Sequence, residues 1–444
     1  MDLIDQFIAR YQKEYDYYEQ LARLCQQQCE LRLEQSGIRA IVTSRAKTSR
    51  SLRGKVEKRQ SNRGTSYGSL KEISDDIIDL AGVRIALYFP ADRANVERLL
   101  NDLFVVIQPV KVFPDQSLQK DRKYPNRFSG YHARHYRVRL RENSLTDVDK
   151  RFAAGLIEVQ VASVLMHAWA EVSHDLVYKP QSEDLSEAEY AMLDQLNGLV
   201  LSGETSLEAL QRAQDSRVNQ PNKSFANHYE LASYIYERAE QPQAGAEDSV
   251  MGRVDVLFEL LRRAGLNNPG DFRELEKVLS PVSAGQPVVQ RYLDAILTSH
   301  PQLHELYAKL WREMREKHPY GPSEEPEVVA NEKAAALLDV RCVRLLTLCI
   351  SLWKTLRGEE TAPSHWPVLL NGMASLGLIT QADADYLADG WQLRAAASQG
   401  PTPVDTTLLN RMNDRIKQVV FQMKEKHPTP EVVALVDNTL RHMG

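Results

Sequence analysis

Apolar side chains at Ile4, Phe7, Tyr11, Tyr15, Tyr18, Ala22, Cys25 and Cys29 recur at steps of three and four. That is the period of one helix face, and Ser36-Gly37 supplies a stop, so the pattern predicts one long amphipathic helix at the start of the chain. A tyrosine stripe at helical spacing reads as a packing seam rather than a base-stacking surface. After a short apolar run from Ile38 to Val42, a polar stretch opens a second helix near Ser49 that continues past Lys58. The period then changes to two. Val83, Ile85, Leu87 and Phe89 alternate with Arg84, Ala86 and Tyr88, and Leu103 to Phe113 is rich in Val and Ile, with a helix, Asp92 to Leu100, between these strands. Two further strands, Tyr131 to Leu140 and Leu156 to Ser163, follow, and the second runs into an apolar-faced helix, Val164 to Tyr178, closed by Lys179-Pro180.

Beyond Pro180 the periodic segments are helical, beginning with Ser186 to Leu196 and Ser206 to Ala213, and the strand pattern vanishes. The expected fold class is therefore α/β followed by a mostly α-helical C-terminal region, divided as residues 1–213 and 214–444. Breaks are marked at Gln214 to Lys223, Gln241 to Glu247, Ser280 to Pro287 and His318 to Pro326, none long enough for a disordered linker, and no fixed-period repeat is present. In the second half Trp311, Trp353, Trp366 and Trp391 read as packing anchors, while His228, Tyr229 and His304 have no metal-binding spacing.

Composition narrows the class. The chain has 444 residues, 43% hydrophobic and 26% charged, ordinary for a soluble globular protein with room for roughly two or three domains. Its 55 Lys and Arg against 60 Asp and Glu leave a formal charge of -5, which excludes a generally basic polyanion binder and makes any anion site local. The N-terminal segment carries early acids and no apolar core, so it does not read as a secretory or transit signal, and a cytoplasmic location is expected. The most apolar stretch, Ala335 to Leu356, is interrupted by Asp339, Arg341, Arg344 and Lys354, which argues against a membrane span. Cys25 with Cys29, and Cys342 with Cys349, sit one or two helical turns apart and read as reduced, packed thiols.

Charge is concentrated in two places. Between Arg39 and Arg63 nine basic residues stand against one acid, Glu57, and between Lys120 and Arg141 eight stand against Asp121 alone. Such runs are also what a solvated face or a nucleic-acid patch shows. The first cluster has more structure: Arg45 and Lys47 precede a helix start, and Ser51 and Lys55 lie four apart on one helix face, a cradle for a polyphosphate. It lacks the glycine spacing of a Walker loop. Two carboxylates, Asp79 and Glu158, fall at strand positions, Glu158 sharing a face with Gln160, and one or two carboxylates with substrate phosphates suffice for Mg²⁺. Tyr131 and His135, four apart on a strand, would face the same way; His167 and His174 lie seven apart on the following helix.

In order along the chain, Arg45-Ala-Lys47-Thr-Ser-Arg-Ser51-Leu-Arg-Gly-Lys55, Asp79-Leu-Ala-Gly-Val-Arg84, Gly130-Tyr131-His-Ala-Arg-His135 and the run from Glu158-Val-Gln160 through His167, Trp169 and His174 to Tyr178-Lys179 resemble the synthetase domain of the RelA/SpoT family. The resemblance covers about residues 38 to 180 and implies a mixed-sheet, nucleotidyltransferase-like synthetase domain of the small alarmone synthetase kind. It implies a GTP pyrophosphokinase that transfers pyrophosphate from ATP to the ribose 3′-hydroxyl of GTP or GDP, makes (p)ppGpp and releases AMP. Carried over residue by residue, Arg45 and Arg84 would sandwich adenine, and Lys47, Ser51 and Lys55 would hold the ATP phosphates. Asp79 would bind Mg²⁺, with Glu158 as second ligand or as the base. Tyr131 would stack on the acceptor base, helped by Arg127, which stands where the family often has Lys, and by His135, Gln160 and His167.

The departures border the acceptor side. The family's EIQIRT reads Glu158-Val-Gln160-Val-Ala162-Ser163, and its GYRSxH carries His132 and Ala133 here. The acceptor is therefore open between GTP or GDP and, as in toxic relatives, adenosine nucleotides or the tRNA 3′ end; a non-catalytic nucleotide sensor is a further alternative. The synthetase motifs begin by Arg45, so the histidine-aspartate hydrolase domain of long family members is not expected before them, and a homo-oligomer stays open.

Overall fold

The computed structural model describes residues 2–114, 128–173, 176, 186–239, 251–276, 287–316, 326–363, 365–398 and 404–443. The chain forms two compact units, residues 1–34 with 38–214, and residues 35–37 with 215–444.

The first unit is built on a five-stranded sheet of order β1-β2-β5-β4-β3. The strands are β1 (Ala40–Ala46), β2 (Ala81–Leu87), β3 (Phe104–Phe113), β4 (Ala133–Leu140) and β5 (Ile157–Ser163). β2 and β5 pair in parallel; the other neighbours are antiparallel. β1 begins within the apolar run at 38–42 but continues through Thr43, Ser44 and Arg45, polar residues that conceal a strand at the sheet edge. Tyr131, expected on a strand, precedes β4.

Alternation gives the sheet two unlike faces. On one, Ala81, Val83, Ile85 and Leu87 of β2, Ile157, Val159 and Val161 of β5, and Tyr136 and Val138 of β4 are buried. Helices α2 (Tyr15–Gln35) and α5 (Arg93–Leu103) cover this face. Gln26 of α2 accepts from Ser44 Oγ at 2.5 Å and donates to the Val42 carbonyl, and Glu97 of α5 pairs with Arg134. The opposite face carries Arg45, Arg84, Glu158, Gln160, His135 and Arg137.

The single long N-terminal helix expected from the tyrosine stripe is two: α1 (Leu3–Lys13) ends at Glu14, and α2 starts one residue later. The stripe still packs inward; α1 contributes Ile4, Phe7, Ile8 and Tyr11 to a small core with Leu52 and Val56 of α3 (Ser49–Arg63) and Ile73 of α4 (Leu70–Asp76). After β5 the chain enters α6 (Val164–Ser173); the rest of the expected helix to Tyr178, including His174, lies outside the described residues. The two segments expected at 186–196 and 206–213 are one helix, α7 (Glu187–Val218), which also runs through the break expected at Gln214. Asn197, Gly198 and Gly203 look like breakers in the sequence, yet each serves packing. Asn197 is 1% exposed and bonds elsewhere, and a Cβ at Gly198 would collide with the Phe128 ring.

In the second unit every element among the described residues is helical. One core gathers around α8 (His228–Ala239), α9 (Val254–Ala264), α10 (Pro269–Glu276), α11 (Val288–Ser299) and α12 (His304–Glu316). A second gathers around α13 (Pro326–Arg357), α14 (Trp366–Ser375), α15 (Gln381–Ser398), α16 (Thr406–Lys426) and α17 (Pro430–His442). Trp366 and Trp391 stack at 4.5 Å inside the second core, and Trp311 and Trp353 pack at the edges of the two. The four cysteines are buried free thiols, and no described helix is long and apolar enough to cross a membrane.

A buried charge network ties these helices together. Arg394 of α15, 1% exposed, grips Asp294 of α11 through two nitrogens at 2.7 and 3.1 Å and reaches Asp339 of α13 at 2.7 Å. The second Asp339 oxygen accepts from Tyr307 and from Trp311 Nε1. Arg394→Met would leave two buried carboxylates without their cation, and removing one partner of such a pair costs about 3–5 kcal/mol. Urea unfolding should show that loss; a loss below about 1 kcal/mol would contradict a central role for the network.

Candidate functional site

The strand register carries the polar face across the sheet in two rows. The first runs Arg45, Gly82, Glu158, Arg137, and the second Thr43, Arg84, Gln160, His135, Lys111. Thr43, Ser44, Arg45, Lys47, Asp79, Gly82, Val83, Arg84, Glu158 and Gln160 line one cleft. Gly82 forms its floor: a Cβ there would meet only the carbonyl oxygens of Glu158 and Arg45, at 3.8 and 3.9 Å, so the absent side chain leaves the row open between Arg45 and Glu158.

Asp79 sits two residues before β2, where the ammonium groups of Lys47 and Lys55 both reach its Oδ2 at 2.7 Å. Lys47 follows β1; Lys55 rises from the second turn of α3, whose N-terminus is capped by Thr48 accepting from the Ser51 N–H at 3.3 Å. Burial raises the Asp79 pKa, but the two lysines outweigh it and hold the carboxyl at about 2. Burial in turn lowers Lys47, with Asp79 opposing. Asp79 Oδ1 is buried and accepts no hydrogen bond.

Glu158 is held ionised by other means. Burial pushes its carboxyl up, but His135 and Gln160 prevail and its pKa falls below the ordinary value. Gln160 Nε2 donates to Oε2 at 2.7 Å, and His135 Nδ1 faces Oε1 at 3.6 Å. The other ring nitrogen of His135, Nε2, lies 3.3 Å from the Tyr131 hydroxyl, so the ring links Tyr131 to the carboxylate. Phe113, missed in the sequence, completes a cluster of rings, with centroids 4.7 Å from His135 and 5.7 Å from Tyr131. Only the strand register, which pairs Phe113 with Ala133, brings its ring beside His135.

Arg45 and Arg84 are diagonal neighbours on adjacent strands. Burial and the like charge of Arg84 lower the Arg45 pKa, while Arg84 is anchored by Glu171 of α6. Arg84 Nε is buried without a partner.

The loop bearing Tyr131 is positioned by α7, which the sequence did not connect with the site. Asn197 accepts from the Gly130 N–H at 3.1 Å and donates to the Gly130 carbonyl at 3.2 Å. Gly130 has a φ of 83°, a left-handed conformation suited to glycine.

Not every candidate converges. His167 lies against the backbone of β2, its Nε2–H donating to the Ile85 carbonyl at 3.3 Å, and Arg127 lies outside the described residues. The first basic cluster is largely neutralised by acids remote in sequence: Arg53 by Asp5, Arg59 by Asp76 and Arg63 by Glu72, besides the two lysines on Asp79. In the second, Arg134 pairs with Glu97, and Arg141 donates to the carbonyls of Asn101, Asp102 and Phe104 at the end of α5. These two hold the fold, while Lys120 to Arg127 of that run lie outside the described residues.

Among the described residues no three His, Cys, Asp or Glu side chains gather to cage a metal. Asp79 and Glu158 are the carboxylates that line the cleft, a sparse set that fits Mg²⁺ completing its shell with phosphates and water.

Residues 44–183 match the family model described as a region found in RelA / SpoT proteins. This part of the chain is a RelA/SpoT region. Among solved structures, the chain is similar to a GTP pyrophosphokinase family protein from Streptococcus pneumoniae at 20% identity and TM-score 0.36, over 46% of this chain and 94% of that one. It is also similar to small alarmone synthetase 1 from Bacillus subtilis at 19% identity and TM-score 0.36, over 46% and 97% of the two chains. Small alarmone synthetase 2 from the same organism aligns at 20% identity and TM-score 0.33, over 46% and 98%. No curated protein sequence matches the chain.

Within the RelA/SpoT region, burial lowers the His167 pKa to about 4, against a backbone hydrogen bond that raises it. The unfolded chain takes up its proton near pH 6.5, so this contribution to stability is complete above that value and is lost as pH falls through about 4. NMR titration of the folded protein should find the His167 ring neutral at pH 6; a midpoint at the unfolded value would refute the burial.

Proposed function

We propose that the RelA/SpoT region transfers the β,γ-pyrophosphate of ATP to the 3′-hydroxyl of GTP or GDP, producing (p)ppGpp and AMP. The observation that carries this reading is the register that sets an ionised Glu158 between cations on both sides, with Asp79 and two lysines at the mouth of the same cleft. Two polyanionic substrates flanking one carboxylate is the arrangement such a transfer needs.

On the donor side, the adjacent Arg45 and Arg84 guanidinium planes suit an adenine stacked between them, which would also separate their like charges. Lys47 and Lys55 turn from Asp79 to the incoming phosphates, with Ser51 at the α3 N-terminus adding a hydroxyl. Asp79 and Glu158 would hold Mg²⁺, which when bound draws charge from the phosphates. On the acceptor side, Tyr131 offers a ring to the base and Gln160 a polar edge. Glu158, ionised and oriented by His135 and Gln160, accepts the 3′-hydroxyl proton as the oxygen attacks the β-phosphorus in line with departing AMP.

Asp79→Asn and Glu158→Gln should each lower AMP release from ATP and GTP by about 10²–10⁴-fold while the fold persists by circular dichroism. Chromatography of labelled products from GTP, GDP, ATP and tRNA reports the acceptor directly; undiminished release in both variants would sink the mechanism.

Gly82→Val tests the cleft floor separately. Its Cβ meets no closer contact than 3.8 Å, so the melting temperature should hold while the larger side chain fills the cleft and ATP affinity drops at least about tenfold. Unaltered ATP affinity would place the donor elsewhere.

A further inference from the structure

The cations on the two sides of Glu158 differ in how they are balanced. Toward β1 and β2, Lys47 and Lys55 rest on Asp79 and Arg84 on Glu171. Toward β3 and β4, Lys111, Arg137 and Arg139 form no ion pair and no side-chain hydrogen bond among the described residues. The contrast within β4 is informative, because Arg134, whose side chain points to the opposite face, does receive an acid, Glu97. On the face that holds the site, no acid among the described residues pairs with these three.

The three positions form a patch with a direction. Arg137 is the cross-strand partner of Glu158, Lys111 that of His135, and Arg139 continues along β4 about 7 Å beyond Arg137. Val105, opposite Arg139 on the edge strand, is 47% exposed, so this end of the face is open to solvent. Along the strand in the other direction lie the rings of Phe113, Tyr131 and His135. The rings with Lys111 at their side, then Glu158 beside Arg137, then Arg139 set unpaired cations all along the path from base through ribose hydroxyl to phosphate, and stacking beside a positive track is how unpaired nucleotides are held. Like charges left together are self-repulsive until an anion arrives.

We infer that Lys111, Arg137 and Arg139 form the phosphate subsite of the acceptor. The inference rests on the reading of Glu158 as the group that meets the acceptor hydroxyl. Two sources share this chemistry: the 5′-polyphosphate of a free nucleotide, and the phosphodiester chain behind the 3′-terminal residue of an RNA.

Equilibrium titrations of the full chain with GTP, and with a short single-stranded oligoribonucleotide bearing a free 3′-hydroxyl, separate the sources. In an Arg137→Gln/Arg139→Gln double variant, and in Lys111→Gln, the probe that occupies the subsite should bind at least about tenfold more weakly. For the oligoribonucleotide the logarithmic salt slope should fall by about one for each phosphate no longer neutralised. Arg137→Lys/Arg139→Lys should recover much of the binding, and affinity for a non-hydrolysable ATP analogue should be unchanged, as a folding defect would not allow. Loss for GTP alone assigns a free nucleotide, and loss for the oligoribonucleotide alone assigns an RNA end. Unchanged binding of both probes, or a wild-type chain that binds neither, overturns the subsite. Weakened binding with no AMP release from any acceptor would keep the subsite and reject pyrophosphate transfer; undiminished release with an unchanged acceptor KM would do the reverse.

Discussion

The site depends on the parallel register of β2 against β5. Gly82 beside Glu158 and Arg84 beside Gln160 put the open floor, the carboxylate and the Arg84 guanidinium on one face. Because side chains alternate, a slip of β2 by one residue would raise Val83 into the cleft and bury Arg84 among apolar residues. The opposite face makes that slip expensive: Val83, Ile85, Val159 and Val161 are all but inaccessible there. Burial of the apolar side therefore fixes the geometry of the polar one. The outer strands β1 and β3 add cations at the flanks, where exposure makes charge tolerable.

The two central carboxylates are ionised for different reasons, and the difference suits different tasks. Asp79 is compensated by full charges on flexible stems, Lys47 and Lys55, which in the proposed transfer would turn to the phosphates and give way to another cation. Glu158 is held by the amide of Gln160 and the ring of His135, short side chains fixed on neighbouring strands and incapable of following a ligand. An exchangeable partner fits a group that takes up a metal; a fixed one fits a group that must stay aimed and accept a proton. The Tyr131 to His135 to Glu158 chain joins the ring platform to that carboxylate, and Asn197 fixes the Gly130 backbone from which the platform departs.

Much of this was legible in the sequence because β2 and β5 alternate cleanly and the residues that line the cleft fall in short local runs. What was hidden depended on partners far along the chain. β1 was concealed because Thr43 and Arg45 face the cleft and broke the apolar run. The continuity of α7 was concealed because Asn197 and Gly198 look like a stop, though tertiary contacts to Gly130 and Phe128 are what select them. The basic run from Arg39 to Arg63 overstated the free positive charge, since Asp5, Glu72, Asp76 and Asp79 return to it only in the fold. Phe113 carried no sign of its role until the strand register set it beside His135.

Two buried polar clusters, the network around Arg394 and the cleft around Asp79, differ in how far their charged groups are satisfied. Around Arg394 in the second unit, both oxygens of Asp294 and both of Asp339 are occupied, and the guanidinium also lies 4.5 Å over the Trp391 ring. Such a network is complete, so it orders helices and has no capacity left for a ligand. In the cleft of the first unit, Asp79 Oδ1 and Arg84 Nε are buried with nothing bonded to them, and each lies on a residue whose other atoms are firmly held. An unmet donor or acceptor costs the folded chain on the order of 1–3 kcal/mol. Two in one cleft, one an acceptor and one a donor, are a cost that the nucleotide and cation of the proposed transfer would reduce, whereas the closed network around Arg394 has no such cost for a ligand to relieve.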